Sequence, residues 1–114
     1  MNKLVLSPLA QADLQEIRSY IADELQNPTA AANALKRITA RLRSLMTFPA
    51  IGAPLSSIID IETDYRFLVC GNYTAYYRLK DDAAYVIRVL CGRRNFMKIL
   101  FGNAPETDTG TTED

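Results

Sequence analysis

Apolar residues recur at three- and four-residue spacing in the first half of the chain, and alternation takes over in the second. Leu14, Ile17, Ile21 and Leu25 are separated by Asp13, Glu16, Arg18 and Asp23, which predicts an amphipathic helix with those four charged residues on its wet face. Ser7-Pro8 supplies an N-cap followed by proline at the first helical position, so the helix is expected over 8–25. Asn27-Pro28 repeats the signal, and Leu35, Ile38, Leu42, Leu45 and Met46 form a second stripe that stops near Phe48-Pro49. The two helices should fold back as an antiparallel hairpin, preceded by a short first strand over 3–6.

From 49 to 64 the period is lost: Pro49, Gly52, Pro54 and Ser56-Ser57 carry turn chemistry, which reads as a linker loop within one domain. Residues 65–70, 73–80 and 84–91 are rich in β-branched and aromatic side chains and are separated by Gly71-Asn72 and Asp81-Asp82-Ala83, two hairpin signals. Phe67, Val69, Ala75, Tyr77 and Leu79 are the better core set, which would turn Arg66, Tyr76 and Arg78 outward. The expected fold is therefore α+β in the order β-α-α-β-β-β, a two-helix antiparallel hairpin packed on one face of a small antiparallel sheet whose other face is bare. Residues 93–101 suit a short helix or an extended segment. Residues 1–102 are expected to form a single domain, and 103–114, polar and poor in apolar residues, a disordered acidic tail.

Composition narrows the chemistry. The chain of 114 residues has two cysteines and no histidine, so neither a disulfide framework nor a conventional zinc site is expected, and no cofactor is implied. The commonest neutral-pH general base is also missing, leaving Lys, Arg, Tyr, Asp or Glu for any catalysis. No apolar run approaches the roughly 18–20 residues of a bilayer span, and the first six residues are too short for a secretory apolar region, so a cytosolic protein with no membrane contact is expected. A formal net charge of zero hides an asymmetry: residues 65–102 hold Arg66, Arg78, Lys80, Arg88, Arg93, Arg94 and Lys98 against only Asp81 and Asp82. Such a basic half favours an anionic partner. Arg66, Tyr76, Arg78, Arg88, Arg93 and Arg94 together are the candidate target-binding surface, able to neutralise phosphates and stack on bases. The same arginines also suit ordinary solvation of an exposed sheet face.

At this point the residues resemble a family. Ser7 to Ile17, continuing through Tyr20-Ile21-Ala22, is similar to the opening of the RelE/ParE superfamily toxins of bacterial type II toxin–antitoxin systems. Phe48-Pro49-Ala50-Ile51-Gly52-Ala53-Pro54 resembles the family's turn after its second helix. Tyr65-Arg66, Asn72-Tyr73 and Tyr76-Tyr77-Arg78 resemble its central strands, and the run from Val89 to Asn95 its closing strand and arginine turn. The resemblance implies a growth-arresting toxin neutralised by a cognate antitoxin, with operator DNA reached only through that antitoxin. RelE-like members cut mRNA at the ribosome; ParE-like members inhibit DNA gyrase and are not nucleases.

For a RelE-like nuclease the resemblance implies catalytic roles for Arg66 and Arg94, with Arg78 and Lys98 substituting from neighbouring positions. Three further family positions fall on Thr74, Leu68 and Leu100, which can neither stabilise a phosphorane nor shuttle a proton. The capped helix pair and the Phe-Pro-x-x-Gly-x-Pro turn are closer to ParE-like members. The expectation is therefore a ParE-like gyrase inhibitor, the alternative a ribosome-dependent mRNA endonuclease, and a third possibility an inactive module that only binds its antitoxin.

Overall fold

The computed structural model describes residues 3–92 and 96–101. A strand β1 (Lys3–Leu6) leads into α1 (Pro8–Ser19), and after a connecting turn α2 (Pro28–Thr47) runs back. The Oγ of Ser7 accepts from the Ala10 N–H, and Asn27 Oδ1 accepts from the Ala30 N–H, so both capping signals operate as the sequence implied. Four strands follow: β2 (Ala53–Pro54), β3 (Arg66–Cys70), β4 (Tyr73–Lys80) and β5 (Ala83–Cys91), and then a short helix α3 (Phe96–Phe101). The described residues form a five-stranded sheet in the order β1-β5-β4-β3-β2, with β1 parallel to β5 and the other pairs antiparallel.

Helix α1 does not continue regularly to Leu25. Tyr20–Glu24 form a π-helical turn, and Gln26 then takes a left-handed φ of 51°. A wide turn shifts the phase of everything after it. Ile21 stays buried, whereas Leu25, expected on the apolar stripe, is 56% exposed.

The sheet packs its first face on the hairpin. Ile38, Leu42 and Leu45 of α2 and Ala10 of α1 meet Leu68, Cys70, Ala75, Tyr77, Ala84, Val86 and Val89. On β3 this inverts the expected faces: Leu68 and Cys70 point to the helices, and Val69 is 53% exposed. The cause is register. The Gly71-Asn72 turn, with Gly71 at φ 68°, pairs Cys70 with Tyr73 and Leu68 with Ala75, and directly opposed residues share a face. Once Ala75 and Tyr77 face the helices, Leu68 must as well.

The second face is not bare. Leu55, in a 3-10 turn over Leu55–Ser57, joins Tyr76 and Leu90 in a second buried cluster, covered by Ile59, Tyr65, Phe67 and the α3 residues Phe96, Ile99, Leu100 and Phe101. The 49–64 segment therefore supplies both an edge strand and part of this cover. Among the described residues no helix is long and apolar enough to cross a membrane.

Candidate functional site

Of the residues expected to form an open basic surface, most are already engaged. Arg66 lies on the helix face of β3, opposite Tyr77, and its Nη2 donates to the carbonyls of Gly52 at 2.6 Å and Ala50 at 3.2 Å. Its Nε is buried with no hydrogen-bond partner among the described residues. The Tyr77 hydroxyl grips the same loop, accepting from the Gly52 N–H at 3.1 Å and donating to the Pro49 carbonyl at 2.9 Å. Arg66 is thus a clamp on the turn after α2 and does not look outward as expected.

Arg88 is likewise structural. Its Nε and one Nη each donate to a different oxygen of Asp13 at 2.8 Å, while Asp13 Oδ2 also accepts from the Val89 N–H at 2.9 Å. That hydrogen bond and the neighbouring charge raise the Arg88 pKa against the opposing effect of burial. Asp13, expected on the wet face of its helix, is only 6% exposed. The placement follows from the sheet. Strand β1 covers β5 only as far as Val86, and the pairing of β5 with β4 shifts register between Tyr76 and Tyr77, leaving Ile87 as an extra residue. Beyond β1, side chains of α1 and its N-cap take over: Ser7 Oγ donates to the Ile87 carbonyl and Asp13 accepts from the Val89 N–H.

Tyr76 does face away from the hairpin, but it is 1% exposed and stacks on Phe96 of α3 with ring centroids 5.5 Å apart. It cannot stack on a base where it lies. Arg78 remains at the surface. It forms a bidentate pair with Asp64 at 2.9 and 3.0 Å, and its guanidinium carbon lies 5.3 Å from the centre of the Tyr65 ring. The hydrogen bond from Arg78 holds the Asp64 carboxyl below its ordinary value. Lys98 is exposed on α3. Arg93 and Arg94 lie outside the described residues, as does the 103–114 tail. At the three family positions where the sequence departs from a nuclease, Thr74 and Leu68 are buried and Leu100 packs into the second cluster. No group of three or more Cys, Asp or Glu residues able to hold a metal occurs among the described residues.

Two features escaped the sequence reading. A half-open cavity of about 250 Å³ lies where the hairpin tip meets the β3–β4 turn, lined by Tyr20, Ile21, Leu25, Arg37, Cys70 and Tyr73 among others. Burial raises the Tyr73 pKa there, helped by Cys91 and Tyr20 nearby. Tyr20 and Leu25 at its rim are both more than half exposed. The second is the outer side of α2, where Lys36, Arg37 and Arg43 are exposed and form no ion pair among the described residues, whose only pairs are Arg78–Asp64 and Arg88–Asp13. Its signal in the sequence is a 20-residue helix without an acid.

A capped helical hairpin on one face of a five-stranded sheet, with β1 inserted in parallel beside the last strand, defines a small α+β domain of the RelE/ParE type. Residues 4–96 match the family described as the ParE toxin of the type II toxin–antitoxin system parDE. The chain belongs to this ParE toxin family. Among solved structures it is similar to a chain of the chromosomal ParDE toxin–antitoxin system from P. aeruginosa, with 23% identity, 81% of this chain and 97% of that one covered, and a TM-score of 0.68. It is also similar to a chain of the toxin–antitoxin complex RelBE2 from Mycobacterium tuberculosis, with 18% identity, coverage of 79% and 96%, and a TM-score of 0.57. No curated protein sequence matches it.

Proposed function

We propose that this chain is the growth-arresting toxin of a type II pair, acting in the cytosol, silenced by a cognate antitoxin and directed at DNA gyrase rather than at mRNA. Membership of the ParE family supports the toxin and its antitoxin, and the two similar structures belong to toxin–antitoxin systems. The choice of target rests on one observation: among the described residues, the nuclease positions are not equipped for phosphoryl transfer. Arg66 is committed to the carbonyls of Ala50 and Gly52, and its neighbours in the family pattern are the buried Leu68 and Thr74. A phosphorane needs cations aimed at empty space where the substrate sits; Arg66 is aimed at its own backbone. The rim of the hairpin-tip cavity, with Tyr20 and Leu25 exposed, offers the apolar contact that a protein partner uses.

The test follows labelled thymidine and methionine incorporation in bacteria during the first minutes after induction without an antitoxin. Thymidine falling first is the expected result. Methionine falling first, together with in-frame cuts in translated messages, would establish the ribosome-dependent nuclease instead. Unimpaired growth at strong expression would leave an inactive antitoxin-binding module.

A further inference from the structure

We infer that the outer side of α2 seats the phosphate backbone of duplex DNA, so that the toxin contacts DNA directly and not only through its antitoxin. The inference draws on the gyrase reading in one respect, the choice of DNA among polyanions; everything else comes from the helix itself. From Pro28 to Thr47, α2 carries Lys36, Arg37, Arg41 and Arg43 and no aspartate or glutamate. Lys36 and Arg43, seven residues apart, project from the same side, while Arg37 and Arg41 lie roughly a third of a turn or more further round, on the flank toward the β3–β4 end of the sheet. Lys36 and Arg43 are about 10 Å apart along the helix axis, a length over which one DNA strand presents about three phosphates. Arg41 donates through Nε to the Val69 carbonyl at 3.3 Å, which fixes its stem against the edge of β3.

The residues between the cations decide what kind of anion fits. Ala32, Asn33, Ala40 and Thr47 are exposed and small, so the helix backbone can lie close to a partner. None of the large exposed apolar residues lies on α2; they fall before it, at Val5, Leu9, Tyr20 and Leu25, or after it, from Phe48 onward. Protein interfaces are built around buried apolar or aromatic anchors, whereas DNA interfaces are polar, positively charged and wet. A basic face without an anchor is the second kind. Among the described C-terminal arginines, Arg66 and Arg88 are turned to internal partners and Arg78 is paired with Asp64.

The experiment uses the full chain, made in a cell-free system, and a fluorescein-labelled 20-base-pair duplex, with anisotropy read from 25 to 200 mM KCl. The log of the binding constant should fall with the log of salt with a slope of about −3, as about three neutralised phosphates require. Lys36→Glu with Arg43→Glu should lower affinity at least about tenfold at 50 mM salt. The milder pair Lys36→Gln with Arg43→Gln should reduce the slope by about 2, and serves where charge reversal disturbs folding. Lys3→Glu with Lys80→Glu, the same charge change at the far end of the sheet, should stay within about twofold of the unsubstituted chain, with thermal melts run on all variants. Absence of duplex binding at 25 mM salt overturns the inference, as does equal loss in the Lys3/Lys80 control. Preferential binding of poly-glutamate or of single-stranded RNA overturns it too. None of these outcomes bears on which labelled precursor falls first in cells, so the inference and the gyrase reading fail separately.

Discussion

Asp13 holds Arg88 through both carboxylate oxygens while one of them also receives the Val89 N–H. One carboxylate on α1 therefore satisfies a backbone donor where β1 no longer covers β5 and neutralises a guanidinium beside it. Because Asp13 is buried, removing it leaves a cation and a backbone donor unsatisfied together. Asp13→Ala should cost about 3–5 kcal/mol of stability, read as a lower urea midpoint. A loss below about 1 kcal/mol would mean that water replaces the carboxylate freely and the pair is ornamental.

The turn after α2 depends on the contact between Tyr77 and Gly52. A methyl group added at Gly52 would meet the Phe67 carbonyl oxygen and, at 2.6 Å, the Tyr77 hydroxyl. Gly52→Ala is expected to destabilise by about 1–3 kcal/mol through overpacking. Tyr77→Phe, which leaves the Gly52 N–H without its acceptor, should lose a similar amount. If the two changes are combined, the sum should fall short, because Phe removes the oxygen that the methyl group strikes; strict additivity in denaturation would contradict the contact.

The pair of Arg78 with Asp64 should reveal itself by its pH dependence. The Asp64 pKa is lowered in the folded protein, chiefly by the Arg78 hydrogen bond, so its stabilisation is present above the unfolded carboxylate pKa and disappears as pH falls through the folded value. Both side chains are well exposed, which limits the effect to less than about 1 kcal/mol. Asp64→Asn should therefore melt slightly below the unsubstituted protein at neutral pH and coincide with it in strong acid. A gap that persists unchanged below the carboxylate range would assign the effect to packing instead.

The two thiols should differ in access. Cys91 is exposed, whereas Cys70 is buried and its pKa is raised by desolvation, partly opposed by Arg41. A thiol reagent added to the native protein should modify one cysteine promptly and the second only on unfolding, and mass spectrometry after digestion should place the first at Cys91. Rapid double modification would show that the β3–β4 end of the sheet opens readily.

The contrast between legible and illegible parts follows from what sequence periodicity encodes. Ser7-Pro8 and Asn27-Pro28 act within a few residues of themselves, so both helix starts stand where the sequence puts them. Hydropathy alone cannot choose between Phe67 and Leu68 for the inward face of β3; the two-residue turn at Gly71-Asn72 can, and applying it across the hairpin gives the observed register. Asp13 and Arg88 are 75 residues apart, and no local pattern announces that a carboxylate between Leu14 and Ala12 turns inward. Tyr76 looked available because the residues that cover it, on α3, are joined to it only in three dimensions. The superfamily itself was legible from motifs, since the Phe48–Pro54 run preserves the glycine that the Tyr77 hydroxyl requires.

The parallel pairing of β1 with β5 ties the first described strand to one that begins at Ala83, and Ser7 Oγ reaches Ile87 across 80 residues. Such a sheet cannot close until the strand beginning at Ala83 has been made, and pairing partners so distant in sequence is slower than forming local helices. A chain that stops short of Ala83 therefore lacks the partner of both β1 and β4.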